Sequence, residues 1–151
     1  MVKKSYKIMA AVSVILISLV ASVSAQNPTR TKEVRIDFDF YAGNKLMPAG
    51  NYVVRLLENG STQKSILVQQ QDGNSQAIIT SVPNRNKADY QPGVILFHKY
   101  GTRYFLAGVQ LGDAAILHTA IKSRAEREIL KGLAKNGVNT PQDVVKAVTD
   151  R

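Results

Sequence analysis

Val94-Ile95-Leu96-Phe97-His98-Lys99-Tyr100-Gly101-Thr102-Arg103-Tyr104-Phe105-Leu106-Ala107-Gly108-Val109 decides the fold. Both arms are rich in β-branched and aromatic residues and a glycine sits between them, which is the composition of a β-hairpin. Gly101-Thr102 suits the centre of a type II′ turn, whose first central residue needs a positive φ. That register pairs Tyr100 with Arg103, His98 with Phe105 and Leu96 with Ala107. Leu96, Phe105 and Val109 then share one face, and Ile95, Phe97, Leu106 and Tyr104 the other. A ribbon apolar on both faces is a central element, around which other strands must pack.

Working outward, Glu33 to Tyr41 alternates strictly. Val34, Ile36, Phe38 and Phe40 face one way, and Arg35, Asp37, Asp39 and Tyr41 the other, as in a half-buried strand. Ala42-Gly43-Asn44 and Leu46-Met47-Pro48-Ala49-Gly50-Asn51 read as turns. Tyr52 to Glu58 is a second strand and Asn59-Gly60 a hairpin signal. Ser65 to Gln71 and Gln76 to Val82 supply two more, separated by Asp72-Gly73. Pro83 to Gly93 is a polar loop. Ala114 to Ile121 is a candidate seventh strand, with a short helix as the alternative.

The first 25 residues have the layout of a secretory signal peptide. Lys3, Lys4 and Lys7 precede an apolar run from Ile8 to Val20, and Val23-Ser24-Ala25 offers the small side chains a signal peptidase reads. The run is shorter than the ~20 residues a membrane-spanning helix needs, so no stable membrane insertion is expected after cleavage. Residues 26–32 read as a flexible lead-in. Cleavage after Ala25 leaves 126 of the 151 residues and lowers the formal charge from +9 to +6. With no cysteine in the chain, the fold has to be held by its core. The basic residues do not run together, which argues against a nucleic-acid partner.

At Ser123 the character changes. Ser123-Arg124-Ala125-Glu126 fits a capping box, and Ala125, Ile129, Leu130, Leu133 and Ala134 form a stripe at helical spacing. Asn136-Gly137 reads as the stop. Thr140-Pro141-Gln142-Asp143 reads as the start of a second helix, with Val144, Val145 and Val148 on one side. Residues 122–151 are therefore expected to form an αα-hairpin. Arg124, Arg127, Lys131 and Lys135 give the first helix a basic face, which is expected to be solvated.

Phe38-Asp39-Phe40, Ala42-Gly43-Asn44-Lys45 and Leu46-Met47-Pro48-Ala49-Gly50-Asn51-Tyr52 resemble the opening of a family of short secreted β-proteins from environmental bacteria. Phe97-His98-Lys99-Tyr100-Gly101-Thr102-Arg103-Tyr104-Phe105-Leu106 and Lys122-Ser123-Arg124-Ala125-Glu126-Arg127-Glu128 are similar to that family's second half. The resemblance covers about residues 33–130. It implies a secreted β-protein and brings no catalytic residues with it.

Three groups of residues carry candidate chemistry. Asp37 and Asp39, two residues and roughly 6.5–7 Å apart on one strand face, have a separation that suits acid–base glycoside cleavage; the plainer reading is a solvated face. His98 and His118 are the only histidines, and without cysteine two imidazoles make a poor metal set. His98 is a weak catalytic candidate, better read as an aromatic packed beside Tyr100 and Phe105. Tyr41, Tyr52, Tyr90, Tyr100 and Tyr104 fit half-buried strands. Tyr90 and Tyr100, with Arg103 at the turn, are the best candidates for a binding surface because they lie at or near loops. No Gly-x-Ser-x-Gly elbow, phosphate-cradling loop or His-Glu-x-x-His pair occurs.

The expected architecture is a single antiparallel β-barrel or β-sandwich of six to seven strands over residues 33–121, followed by the helical hairpin. The expected function is an exported, non-enzymatic binding or interaction module of the bacterial envelope, periplasmic or extracellular. An envelope glycan or another envelope protein is the expected partner class, with no metal or cofactor. The alternatives are a self-associating structural protein of the envelope and a glycan hydrolase using Asp37 and Asp39.

Overall fold

The computed structural model describes residues 31–59, 63–85, 93–112, 116–135, 137 and 143–148. The proposed signal peptide, Tyr90 and the Asn59-Gly60 turn beyond Asn59 lie outside them. Among the described residues the chain is mainly β with one helix. The strands are β1 (Thr31–Ile36), β2 (Phe40–Ala42), β3 (Lys45–Met47), β4 (Gly50–Asn59), β5 (Gln63–Gln70), β6 (Gln76–Asn84), β7 (Val94–Tyr100), β8 (Arg103–Gln110), β9 (Leu117–Ala120) and β10 (Asp143–Val148), and the helix is α1 (Arg124–Lys135). All ten strands belong to one sheet, ordered β1-β4-β5-β6-β9-β8-β2-β3, with β7 joined to β8 and β10 to β7.

The hairpin is where the sequence puts it. Tyr100 pairs with Arg103 and His98 with Phe105, and Gly101 takes a φ of 59°. Further along, the register slips by one at a bulge between Leu96 and Phe97, so Leu96 faces Gly108 instead of Ala107. An extra residue in one strand reverses which face its neighbours occupy. Val109 therefore joins Ile95, Phe97 and Leu106 in the main core, and Leu96 joins Val94, Ala107 and Leu117 in a small second cluster.

That main core draws on nine strands, from Val34 and Ile36 of β1 through Tyr52, Ile66 and Ile79 to Ala120 of β9. A single sheet can place side chains from so many strands in one cluster only by curling over its own inner face. It does not close into a barrel. Rings form the centre of the core: Phe40 meets Tyr52 and Phe97 edge-on at 5.3 Å each, and Phe38 stacks on Tyr104 at 4.2 Å. Such pairs are worth about 0.5–1.5 kcal/mol each beyond their buried area.

Four expectations are corrected. Thr31 and Lys32, expected in the lead-in, already pair with Arg55 and Val54 in β1. The strand expected over 33–41 is broken at Asp37–Asp39, and its second half, β2, pairs with β3 and, in parallel, with β8. Asp39 Oδ1 accepts the Ala49 N–H at 2.8 Å, and this tie bends the chain where apolar alternation runs on undisturbed. Leu46 and Met47, read as turn residues, lie in β3. The fourth correction is in the tail. The expected second helix is a strand, β10, which pairs antiparallel along β7 from Asp143↔Lys99 to Val148↔Val94. β-branched valines favour strands, and β7 would otherwise leave a row of unpaired backbone groups on that side. The C-terminal region is thus a helix and a strand. Residues Leu117–Ala120 resolve the seventh-strand question in favour of a strand. No helix among the described residues is long and apolar enough to cross a membrane.

Candidate functional site

The helix start follows from its sequence. Ser123 Oγ accepts the Glu126 N–H at 3.1 Å, as a cap requires. Gly137 N–H returns to Ala134 O at 3.3 Å and ends the helix. The second half of the expected box does not form, because the Glu126 side chain turns toward the sheet. Glu126 is 2% exposed and is the only buried residue of α1. His98 Nδ1 lies 2.7 Å from Glu126 Oε1, Tyr100 Oη donates to the same oxygen at 3.0 Å, and Lys122 Nζ lies 3.4 Å from both that oxygen and Tyr100 Oη.

A buried carboxylate is normally pushed up in pKa, and burial is the largest influence here. The His98 hydrogen bond, the Lys122 charge and the Tyr100 hydroxyl outweigh it, so Glu126 sits below the usual carboxylate range. An ionised carboxylate only accepts, so Nδ1 of His98 carries its hydrogen toward it. Tyr100 is pushed up, first by burial and then by Glu126, and keeps its proton as a donor. This cluster brings together two stretches distant in sequence: His98 and Tyr100 from β7, and Lys122, Ser123 and Glu126 from the start of α1. Its geometry pins a helix to a sheet.

The second feature is a gap in the sheet. β7 pairs along β8 for its whole length. β8 also pairs with β9 at Gly108 and Val109 and with β2 at Phe105. β9 covers only Ser81–Asn84 of β6, and beyond Ala120 the chain leaves the sheet toward α1. Residues Gln76–Thr80 of β6 therefore have β5 on one side and, among the described residues, no strand on the other. Facing them is the β2–β3 turn. The space between is a groove of about 450 Å³, lined by Ala42, Lys45, Ile78, Thr80 and Ile121 among others. Ile78 and Ile121 are 63% and 48% exposed. Lys45 Nζ donates to Gln76 O at 3.0 Å, and Ile121 N–H donates to Thr80 O at 3.0 Å.

The other residues singled out from sequence are spread over the molecule. Asp37 is exposed and paired with Arg35 at 2.8 Å, whereas Asp39 holds the Ala49 N–H. Neither lines the groove. Tyr100, expected to offer a ring near a loop, is buried and committed to Glu126. Arg103 is exposed at the hairpin turn. Arg124, Arg127, Lys131 and Lys135 are all exposed on α1, with Arg124 bound to Glu128 at 3.0 Å. His118 is buried in β9. No group of three or more potential metal ligands occurs among the described residues. Sequence reasoning missed Glu126 as the hub and missed the groove. The groove had a signal in β6, where Ile78 and Val82 put apolar side chains on the face opposite Ile79 and Ser81.

No protein-family model, curated protein or solved structure matches this chain.

Proposed function

We propose that this chain is an exported, non-enzymatic binding module of the bacterial envelope, working in the periplasm or outside the cell, and a relative of the short secreted β-proteins it resembles. The observation that carries the reading is the chemistry of the groove. Among the described residues, Lys45 is the only ionisable side chain in its lining, and no histidine or carboxylate lines it. A concavity of that composition suits holding a partner better than activating a nucleophile. The acidic and basic groups that are gathered together, around Glu126, serve to dock α1.

Thermal-shift titration of the mature protein with envelope glycans, lipids and peptides tests this. A stabilising ligand whose effect is lost on altering the groove supports the module. Turnover of a polysaccharide that disappears in both Asp37→Asn and Asp39→Asn would replace it with the hydrolase. A second reading, self-association, draws on the apolar residues exposed on the outer face, Ile78, Val82 and Ile121. Sedimentation at several concentrations measures it directly.

A further inference from the structure

We propose that the outward face of α1 is a membrane-docking surface, which lays Arg124, Arg127, Lys131 and Lys135 against the phosphates of anionic lipid headgroups. The inference goes beyond the groove and rests on the envelope reading for where such lipids are met. It begins with the turn of the helix. At 3.6 residues per turn, the four cations lie between about 100° and 180° around the axis from Glu126. Glu126 reaches the sheet, and Ile129, Leu130 and Leu133 share its side and are half-buried. The cations are therefore turned outward, and all four are exposed. They form a row about 16.5 Å long. Arg127, Lys131 and Lys135 stand four residues apart, and like charges at that spacing destabilise a helix. Among the described residues only Arg124 of the four has an ion pair, with Glu128. The crowding of the other three is relieved by an anionic partner.

Charge is also segregated in the molecule. Of the described residues, those between 93 and 137 hold seven lysines and arginines against two glutamates, a net +5. Those between 31 and 85 hold six against five acidic residues, a net +1. The two glutamates of the basic half are both engaged, Glu126 in the buried cluster and Glu128 by Arg124. Arg103 widens the patch. It pairs with Tyr100 across the hairpin turn, so both side chains rise from the face on which Tyr100 reaches Glu126. Arg103 is exposed. The shape selects the partner. A lone phosphate needs donors that converge on it, whereas these diverge from a convex helix, and none of them lines the groove beside β6. An anionic chain follows a line, whereas the cations here spread over a helix and the turn beside it. A lipid surface meets all of them at once, and each cation held near it adds to the attraction. The apolar stripe is turned to the sheet, so the helix lies on the headgroups without entering the acyl layer.

The test uses the mature protein and two kinds of vesicle, phosphatidylcholine alone and phosphatidylcholine mixed with phosphatidylglycerol. Co-sedimentation is the readout. The protein should bind the mixed vesicles at about 0.1 M salt and leave them at about 1 M, where charges are screened within about 3 Å. It should not bind phosphatidylcholine alone. Arg127→Gln, Lys131→Gln and Lys135→Gln together should weaken binding about a hundredfold. Lys32→Gln, Arg55→Gln and Arg85→Gln together remove the same charge from the other half, at sites wholly or partly exposed, and should weaken it less than about threefold. Thermal melting checks that both triple variants stay folded. Lys131→Arg with Lys135→Arg should keep the binding.

Equal losses in the two triple variants overturn the docking face, because net charge alone would then drive adsorption. So does binding that survives about 1 M salt, which would mean apolar insertion. Polygalacturonate held more tightly than the mixed vesicles at equal anionic charge also overturns it, because the partner would then be a polymer. If a glycan or peptide stabilises the protein through the groove while the mixed vesicles are ignored, the docking face fails and the binding-module reading stands. If the vesicles bind through α1 and nothing engages the groove, the docking face stands and the groove reading fails. If no ligand of any class binds, both fail.

Discussion

Replacing Glu126 by alanine tests how α1 is held. The substitution removes the acceptor shared by His98, Tyr100 and Lys122, and leaves a buried tyrosine hydroxyl and a mostly buried imidazole without it. Removing one partner of a buried charge cluster costs about 3–5 kcal/mol. Lys122 is about one-third exposed and its share is screened by water, so the lower end of about 3 kcal/mol applies here. At roughly 4 °C per kcal/mol for a domain of this size, Tm should fall by about 12 °C. Glu126→Gln keeps an acceptor of the same shape and loses only the charge, so it should cost about 1–1.5 kcal/mol.

The pH dependence follows from the sign of the shift. Glu126 titrates lower in the fold than its ordinary value of 4.5, so its contribution is complete above that value. It drains as pH falls through the lowered folded value. The stability gap between wild type and Glu126→Gln, read by urea denaturation, should therefore be present at about pH 5 and shrink below 4.5. Trypsin should cut Glu126→Ala faster after Arg127, Lys131 and Lys135, because the helix comes loose. A Tm within about 2 °C of wild type, with unchanged cleavage, would refute the reasoning that this cluster holds α1.

Three further outcomes are expected. A Cβ at Gly108 would lie 2.8 Å from His118 O and 3.3 Å from Thr119 Cα, both backbone, so Gly108→Ala should cost about 1–3 kcal/mol by urea denaturation. An unchanged midpoint would mean that β8 and β9 are less tightly apposed. Asp39→Ala should cost about 0.5–1.5 kcal/mol through the lost Ala49 bond, whereas Asp37→Ala should be nearly neutral because its pair with Arg35 is exposed; equal effects would contradict the separate roles. Burial, with help from Asp72 and Asp39, pushes Tyr52 up to about 12 from an ordinary 10. Its contribution is therefore complete below pH 10 and drains between 10 and about 12. Tyr52→Phe should flatten alkaline unfolding over that range, and an unaltered curve would place the loss elsewhere.

Local signals were legible in the sequence and long-range ones were not. The hairpin could be read from Val94 to Val109 because its turn and both arms are contiguous. Its bulge could not, since an inserted residue leaves the apolar pattern unmarked until the partner strand is known. The break at Asp37–Asp39 was hidden for a similar reason: Phe38 and Phe40 continue the alternation, and the bond that bends the chain comes from Ala49, ten residues on. Thr140-Pro141 is a sound local helix signal, and it lost to the unpaired side of β7, some 45 residues earlier in the chain. At the site, Ser123 could be read as a cap because the cap is local. The Glu126 side chain reads locally as the cap's second half, whereas it bonds Tyr100 and His98, 26 and 28 residues away on β7. The groove arises where β9 stops short of β2, a property of strand lengths and order that no single segment displays.

The manner in which α1 is fastened has a thermal consequence. Apolar contacts gain much of their strength from water released on burial, and their disruption carries a large heat-capacity change. Here the one side chain sunk fully into the seam is a carboxylate, and Ile129, Leu130 and Leu133 are only half covered. Lifting the helix should thus absorb little heat capacity and show up as a shallow early transition ahead of the main melt. Moderate salt would move that early step, while sulfate or sucrose, which strengthen apolar burial, would chiefly raise the later one.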